Sequence, residues 1–375
     1  MITHKARCRA ALCAALVAPI PALAQDDYYD AHVHLTNYIQ EGITASEYLD
    51  VVGKRVQRSV LFGIPLQIHW SNRVTGDVAP TYYLDADTAL YYYSFTDAFI
   101  ARQYLGLASE QQQQFEPMIT GFNPADMYAA DHIRRVLQTF PGVFTGIGEF
   151  TIHKEFVSAK VAGDVASLID PALDRIFQFC AESGLVAIMH NDIHMPFVKA
   201  KAKRFYFEQA KALLARHSDA TIIWAHTGLG RVVRPVDEHL ELIEEILSDP
   251  ALNHVYFDIS WDEVAKYVVA TPRATALTAA LLEKYPGRFL MGTDNVALSE
   301  PDAAIAVFEQ DRPLWEALSP ETSEMVRKGN FARLFDAAAT NVRAWEKANP
   351  AQGVRCPFAG CKDSTGLQCV SGPLP

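Results

Sequence analysis

Eight short apolar runs alternate with longer stretches at helical spacing along most of this chain of 375 residues. That alternation narrows the fold more than any other feature. The runs are Tyr28–Leu35, Ser59–Ile68, Met118–Phe122, Val143–Phe150, Leu185–His190, Thr221–His226, His254–Ile259 and Arg288–Gly292. They are continuously apolar rather than alternating, the pattern of strands covered on both faces. Between them, Asn123-Pro124, Asp170-Pro171, Thr271-Pro272 and Ser319-Pro320 each set a capping side chain before a proline at the first helical position. In Pro171–Glu182, Leu173, Ile176, Phe177 and Cys180 recur at helical spacing, and Ser183-Gly184 marks the stop. Glu238–Leu247 and Arg273–Tyr285 read the same way. The expectation is an α/β chain whose parallel sheet closes into a single-domain (β/α)8 TIM barrel. An open doubly wound sheet is the rival, but no glycine-rich phosphate loop follows any run.

The two ends stand apart from this pattern. Lys5, Arg7 and Arg9 precede an alanine-rich apolar run from Ala10 to Ile20, and Ala22-Leu23-Ala24 offers a small-x-small cleavage site. Residues 1–24 are therefore expected to be a signal peptide, with 25–345 the barrel and 346–375 a C-terminal tail. An uncleaved anchor is the other reading of the leader, but the apolar run is short for a bilayer and interrupted by Pro19 and Pro21. Export to the periplasm or medium follows, with no stable membrane anchor. Cleavage removes three positive side chains and no carboxylate, so the formal charge moves from −11 to about −14. A chain this acidic is a poor match for nucleic acid. An oxidising compartment makes a bridge among Cys356, Cys361 and Cys369 an expectation, its pairing open. The sequence also leaves the oligomeric state open, a homo-oligomer included.

The ends of the runs carry the chemistry. His32 and His34 stand one residue apart, so a strand points both imidazoles to one face. Glu149 ends the fourth run, His190 the fifth and His226 the sixth, and Asp294 follows the eighth. In a parallel barrel all these ends meet on one rim, where active sites lie. Each residue singly has an ordinary structural reading; five equivalent positions are harder to dismiss. Histidine and carboxylate donors suit zinc or a similar divalent ion with an open position for water. An aspartate beside that water can take its proton and hand it to a leaving group. Nothing here resembles a Ser-His-Asp arrangement or a Gly-x-Ser-x-Gly elbow.

The set His32-x-His34, Glu149, His190, His226 and Asp294 resembles the amidohydrolase superfamily of metal-dependent (β/α)8 barrels, over about Tyr28 to Leu334. The ending Gly329-Asn330-Phe331-Ala332-Arg333-Leu334-Phe335 resembles the closing helix of its amidohydrolase-2-type branch. The resemblance implies His32 and His34 as ligands of one metal, with Asp294 both ligand and acid/base. In binuclear members a residue at the place of Glu149 bridges two ions, and His190 and His226 hold the second. In mononuclear decarboxylase-type members the ligands are the His-x-His pair, the residue equivalent to His190 and the aspartate, leaving His226 to polarise the substrate. Many binuclear members bridge with a carboxylated lysine; glutamate stands there in this chain, as in the TatD-like deoxyribonuclease group. Lys154, five residues on, is expected to be too far away to substitute.

The reading is thus a hydrolase that turns metal-activated water, with one or two divalent ions such as zinc, on an ester, lactone, amide or phosphoester of a small-molecule substrate. The alternative is a mononuclear decarboxylase acting on a carboxylated substrate. Arg231, Arg234 and Lys154 are the candidates for substrate binding, Asp294 and His226 those for catalysis. His153 beside Lys154 is expected to line the pocket. Asn191, Asp192 and His194, then Lys199, Lys201, Lys203 and Arg204, follow the fifth run, and the basic cluster reads as a solvated helix face or an anion track. Asp258 is expected to orient a rim loop. The tyrosine-rich stretch His69–Phe99 either walls the pocket or packs as part of a helix over Leu90–Leu107.

Overall fold

The computed structural model describes residues 27–37, 41–64, 95–154, 167–194, 204–230 and 233–351. The leader, most of the tyrosine-rich stretch, Lys199, Lys201, Lys203, Arg231 and the three tail cysteines lie outside these residues. Ten strands are present among the described residues: β1 (Tyr28–Asp30), β2 (Val33–His34), β3 (Val56–Leu61), β4 (Phe115–Ile119), β5 (Gly146–Thr151), β6 (Val186–His190), β7 (Thr221–Trp224), β8 (Val255–Asp258), β9 (Phe289–Leu290) and β10 (Asn295–Val296).

Eight of them form one sheet in the order β1-β3-β4-β5-β6-β7-β8-β9, and each adjacent pair is parallel. Helices between successive strands make each crossover, as parallel pairing requires. Hydrogen bonds then tie the first strand region to the last. Ala31 N donates to Met291 O at 3.0 Å and Asp294 N to His32 O at 2.7 Å. Asn295 and Val296 pair in parallel with Val33 and His34. The Asp30 carboxylate accepts from Thr293 N at 2.8 Å and Thr293 Oγ1 at 2.6 Å. The sheet is thus curled until its edges meet, consistent with the expected barrel.

Side chains alternate across the strands. Val60, Met118, Val186, Ile188, Ile223 and Leu290 form one buried cluster with Phe331, Leu334, Phe335 and Ala338 of the helix Asn330–Ala348. Their neighbours, such as Leu61, Ile119, Ala187, Met189 and Ile222, belong to the larger core under the surrounding helices. Phe331 meets Tyr29 edge-on at 5.5 Å, so the closing helix lies at the end opposite the strand-end histidines.

The sequence signals for helix ends are reproduced at three of four Pro sites. Asp170 accepts from Ala172 N at 2.9 Å, Thr271 from Ala274 N at 3.1 Å and Ser319 from Thr322 N at 3.2 Å. Gly184 ends the first of these helices in the left-handed conformation, φ 80°. Asn123-Pro124 differs: Asn123 Oδ1 accepts from Ala125 N and Asp126 Oδ1 from Tyr128 N. These local bonds make turns, and the helix begins only at Ala129. The expected helix over Leu90–Leu107 is seen as Thr96–Leu105 within the described residues, and the expected turn at Gln111–Gln114 overlaps a short helix, Ser109–Gln112. The first apolar run is also broken, because the Asp30 carboxylate accepts from His32 N at 3.1 Å and turns the chain between β1 and β2. Among the described residues, no helix is long and apolar enough to cross a membrane.

Candidate metal centre

The strand-end residues named from the sequence come together. His34 Nε2 lies 3.3 Å and His32 Nε2 3.4 Å from Asp294 Oδ1, and His226 Nε2 lies 3.9 Å from Asp294 Oδ2. Glu149 faces the same group, with Oε1 4.0 Å from His32 Nε2 and 3.2 Å from His226 Nε2, and Oε2 3.7 Å from His34 Nε2. His190 Nδ1 is 2.7 Å from Glu149 Oε1. Glu149 lies within β5 and His226 just beyond β7, so the strand ends are one or two residues from where the sequence put them. His226, Thr227, Trp261 and Asp294 all have φ between 51° and 84°, a conformation costly for residues with a Cβ. Four such residues on one rim mark a place where local backbone preference yields to side-chain placement.

The outer nitrogens of the rings set their orientation. His32 Nδ1 lies 3.1 Å from Asp258 Oδ2. An ionised carboxylate only accepts, so in neutral His32 the proton sits on Nδ1 and Nε2 offers a lone pair. His226 Nδ1 lies 2.8 Å from Ser260 Oγ, which itself donates to Asp258 Oδ1 at 2.5 Å; Nδ1 therefore donates, and Nε2 faces Glu149 Oε1 at 3.2 Å. His34 Nδ1 faces Gly63 O at 3.4 Å with the same consequence. Asp258 also accepts from His226 N at 2.8 Å.

Sequence reasoning missed this role. Asp258 was expected to steady a rim loop; it is fully buried and orients two histidines. The signal was its place at the end of the seventh run, equivalent to the other strand-end residues.

Electrostatics separates the groups. Burial works against charge on every one of them. For His32 the carboxylates of Asp258, Asp294 and Glu149 outweigh it, raising its pKa to about 9. Asp294 is held well below the usual carboxylate range because His32, His34 and His226 overcome its desolvation. Glu149 is lowered likewise by Lys154 and His190. His226 moves down, burial winning.

A divalent ion fits these residues. His32 Nε2 is buried with no hydrogen-bond partner, an unsatisfied polar atom beside carboxylates that a bound cation would engage once the ring is neutral. The sets His32, His34 and Glu149, then Glu149, His190 and His226, and also His32, His226 and Asp258, each bring three donor atoms within 4.8 Å of one another. Imidazole with carboxylate is a donor set suited to zinc and its neighbours.

The remaining candidates divide. Lys154 is buried, its Nζ 3.8 Å from Glu149 Oε1 and 5.4 Å above the Trp261 ring. The turn after β5 folds Lys154 back to pair with Glu149 rather than to take its place. His153 stacks on Tyr206 at 4.0 Å. Arg234 is exposed, and its backbone carbonyl rather than its guanidinium is tied to the loop after β6, through His194 Nε2 at 2.9 Å. Arg204 pairs with Glu208 and Glu245 on the outer surface, the solvated-face reading of the basic cluster at that position. Trp261, not singled out from the sequence, lies with its ring 5.0 Å from that of His226.

Comparison with known proteins identifies the family and the fold. Residues 29–337 match the family model described as Amidohydrolase. No curated protein matches the sequence. Among solved structures, an amidohydrolase from Burkholderia multivorans with bound zinc is similar at 14% identity and TM-score 0.50, covering 83% of this chain and 99% of that one. A dihydroorotase from Campylobacter jejuni is similar at 11% identity and TM-score 0.46, covering 83% of each chain. A 2,6-dihydroxybenzoate decarboxylase complexed with 2,6-dihydroxybenzoate is similar at 12% identity and TM-score 0.48, covering 83% of this chain and 99% of that one. At such identities the likeness to the Burkholderia protein shows the fold alone.

Proposed function

This chain belongs to the amidohydrolase family, and from that premise we propose that it is an exported metal-dependent hydrolase acting on an ester, lactone, amide or phosphoester of a small molecule. The observation that carries the proposal is the position of Asp294, whose carboxylate faces the Nε2 atoms of His32, His34 and His226 at 3.4, 3.3 and 3.9 Å.

His32, His34 and Asp294, with Glu149 and His226 beside them, would hold a divalent ion, which when bound supplies Lewis-acid activation of water and of the scissile bond. Asp294 is kept ionised by the histidines around it, so it can accept a proton from the attacking water and return it to the leaving group. His226, its ring steadied by Ser260 through Nδ1, presents Nε2 toward Glu149 and the reacting centre. Trp261 lies beside the His226 ring with the Lys154 ammonium over its own ring, an aromatic surface next to the reacting centre.

The test uses zinc-loaded protein with p-nitrophenyl acetate, a γ-lactone and p-nitrophenyl phosphate. Asp294→Ala is expected to reduce turnover by at least about 100-fold while the fold persists; undiminished turnover in the zinc-replete variant refutes the proposal. Solvent labelled with heavy oxygen should place one label in the product. Carbon dioxide released from a carboxylated substrate without label incorporation would instead point to the lyase.

A further inference from the structure

The donor atoms fall into two groups that differ in how they are already engaged. On one side, His32 and His34 turn their Nε2 atoms to Asp294, and His32 Nε2 has no hydrogen-bond partner. On the other, His190 has carboxylates at both nitrogens: Glu149 Oε1 at 2.7 Å from Nδ1 and Asp192 Oδ1 at 3.4 Å from Nε2. The same Glu149 oxygen lies 3.8 Å from Lys154 Nζ. Lys154, only 5% exposed, also rests against Trp261 as a cation over a ring.

We propose that Lys154 acts as a built-in second cation, so that the site takes one divalent ion, on the His32 and His34 side, rather than two. The inference rests on the metal-dependent reading above and concerns the number of ions, which that reading leaves open. A second ion on Glu149, His190 and His226 would share Glu149 Oε1 with an ammonium and compete with it for that charge. Like charges in so buried a place repel far more strongly than in water. It would also need His190 to release one of its two carboxylates. The lysine satisfies Glu149 without either change. In functional terms Lys154 is then a positioning residue: it holds Glu149 ionised and in place.

Metal stoichiometry tests this without reference to turnover. Full-length mature protein is equilibrated with excess zinc, freed of loosely held ions, and its zinc per chain measured beside Lys154→Met and Lys154→Arg. Wild type and K154R are expected to hold one equivalent and K154M two, its second site at least about 100-fold tighter than any second site in wild type. Far-ultraviolet circular dichroism confirms that the variants are folded, and K154A serves if the methionine itself blocks the space. Two equivalents in wild type overturn the inference and leave the hydrolase proposal standing. One equivalent in both K154M and K154A overturns it as well, because the lysine would not be what excludes the second ion. No zinc in wild type overturns the metal-dependent reading beneath both.

Discussion

Replacing Asp258 by asparagine isolates the part of the site that orients rather than reacts. Asp258 Oδ1 accepts from His226 N at 2.8 Å, Ser260 N at 3.2 Å and Ser260 Oγ at 2.5 Å, while Oδ2 faces His32 Nδ1 at 3.1 Å. In Asp258→Asn the amide oxygen keeps the three donors, and the amide nitrogen takes the place of Oδ2. Two N–H groups would then confront each other, so the His32 proton moves to Nε2. That atom can no longer offer a lone pair to a cation. Partners that set the tautomer of a metal-binding histidine are worth 10- to 100-fold in affinity, or about 1.4 to 2.7 kcal/mol. Zinc affinity measured by competition with a chromophoric chelator should fall by that factor. The metal-free variant should also show the His32 pKa displaced downward from about 9, readable by NMR of the imidazole, because burial then meets one counter-charge fewer. A folded D258N protein with zinc affinity within about twofold of wild type would refute the tautomer argument.

Three further outcomes bear on the scaffold. Asp311 is buried with no partner on either carboxylate oxygen among the described residues, and burial pushes its pKa up to about 8. Between an unfolded value of about 4 and this folded value the native protein keeps a proton the unfolded chain loses, so stability falls as pH rises from about 4 to about 8 and levels beyond. Denaturant titrations should find Asp311→Asn more stable by up to about 5 kcal/mol at pH 8 and nearly neutral at pH 4; parallel pH profiles for the two proteins would contradict this. Gly148 has φ 113°, and a Cβ there would lie 2.1 Å from Ile188 O. Gly148→Ala should cost roughly 3 kcal/mol or more in urea unfolding, and a loss below about 1 kcal/mol would mean that β5 and β6 approach less closely than described. Asp170→Ala removes the bond to Ala172 N and should cost about 1 kcal/mol, measured by the same titration.

Much of this architecture was legible because it depends on local chemistry. Continuous apolar runs signal strands covered on both faces, and a capping side chain before proline signals a helix start wherever nothing nearer competes for the cap. Asn123 shows the limit: the same dipeptide signal is present, yet Asp126 and Asn123 close turns first. His32, His34, Glu149, His190, His226 and Asp294 could be picked from the sequence because strands of one direction bring their ends to one rim.

What the residues could not reveal by spacing is which atoms of that set are already spoken for. Asp258 reaches His32 across 226 positions, and Thr293 ties to Asp30 across 263. Such pairings exist only once the curled sheet brings its edges together. A turn after β5 returns Lys154 to Glu149 as its ion-pair partner. The sequence by itself determined the repeating strand–helix pattern and the donor types, since both follow from side-chain character at near neighbours. Tertiary structure alone decided the tautomers, the burial that moves each pKa and the placing of Lys154, because these depend on distances between residues that only folding makes adjacent.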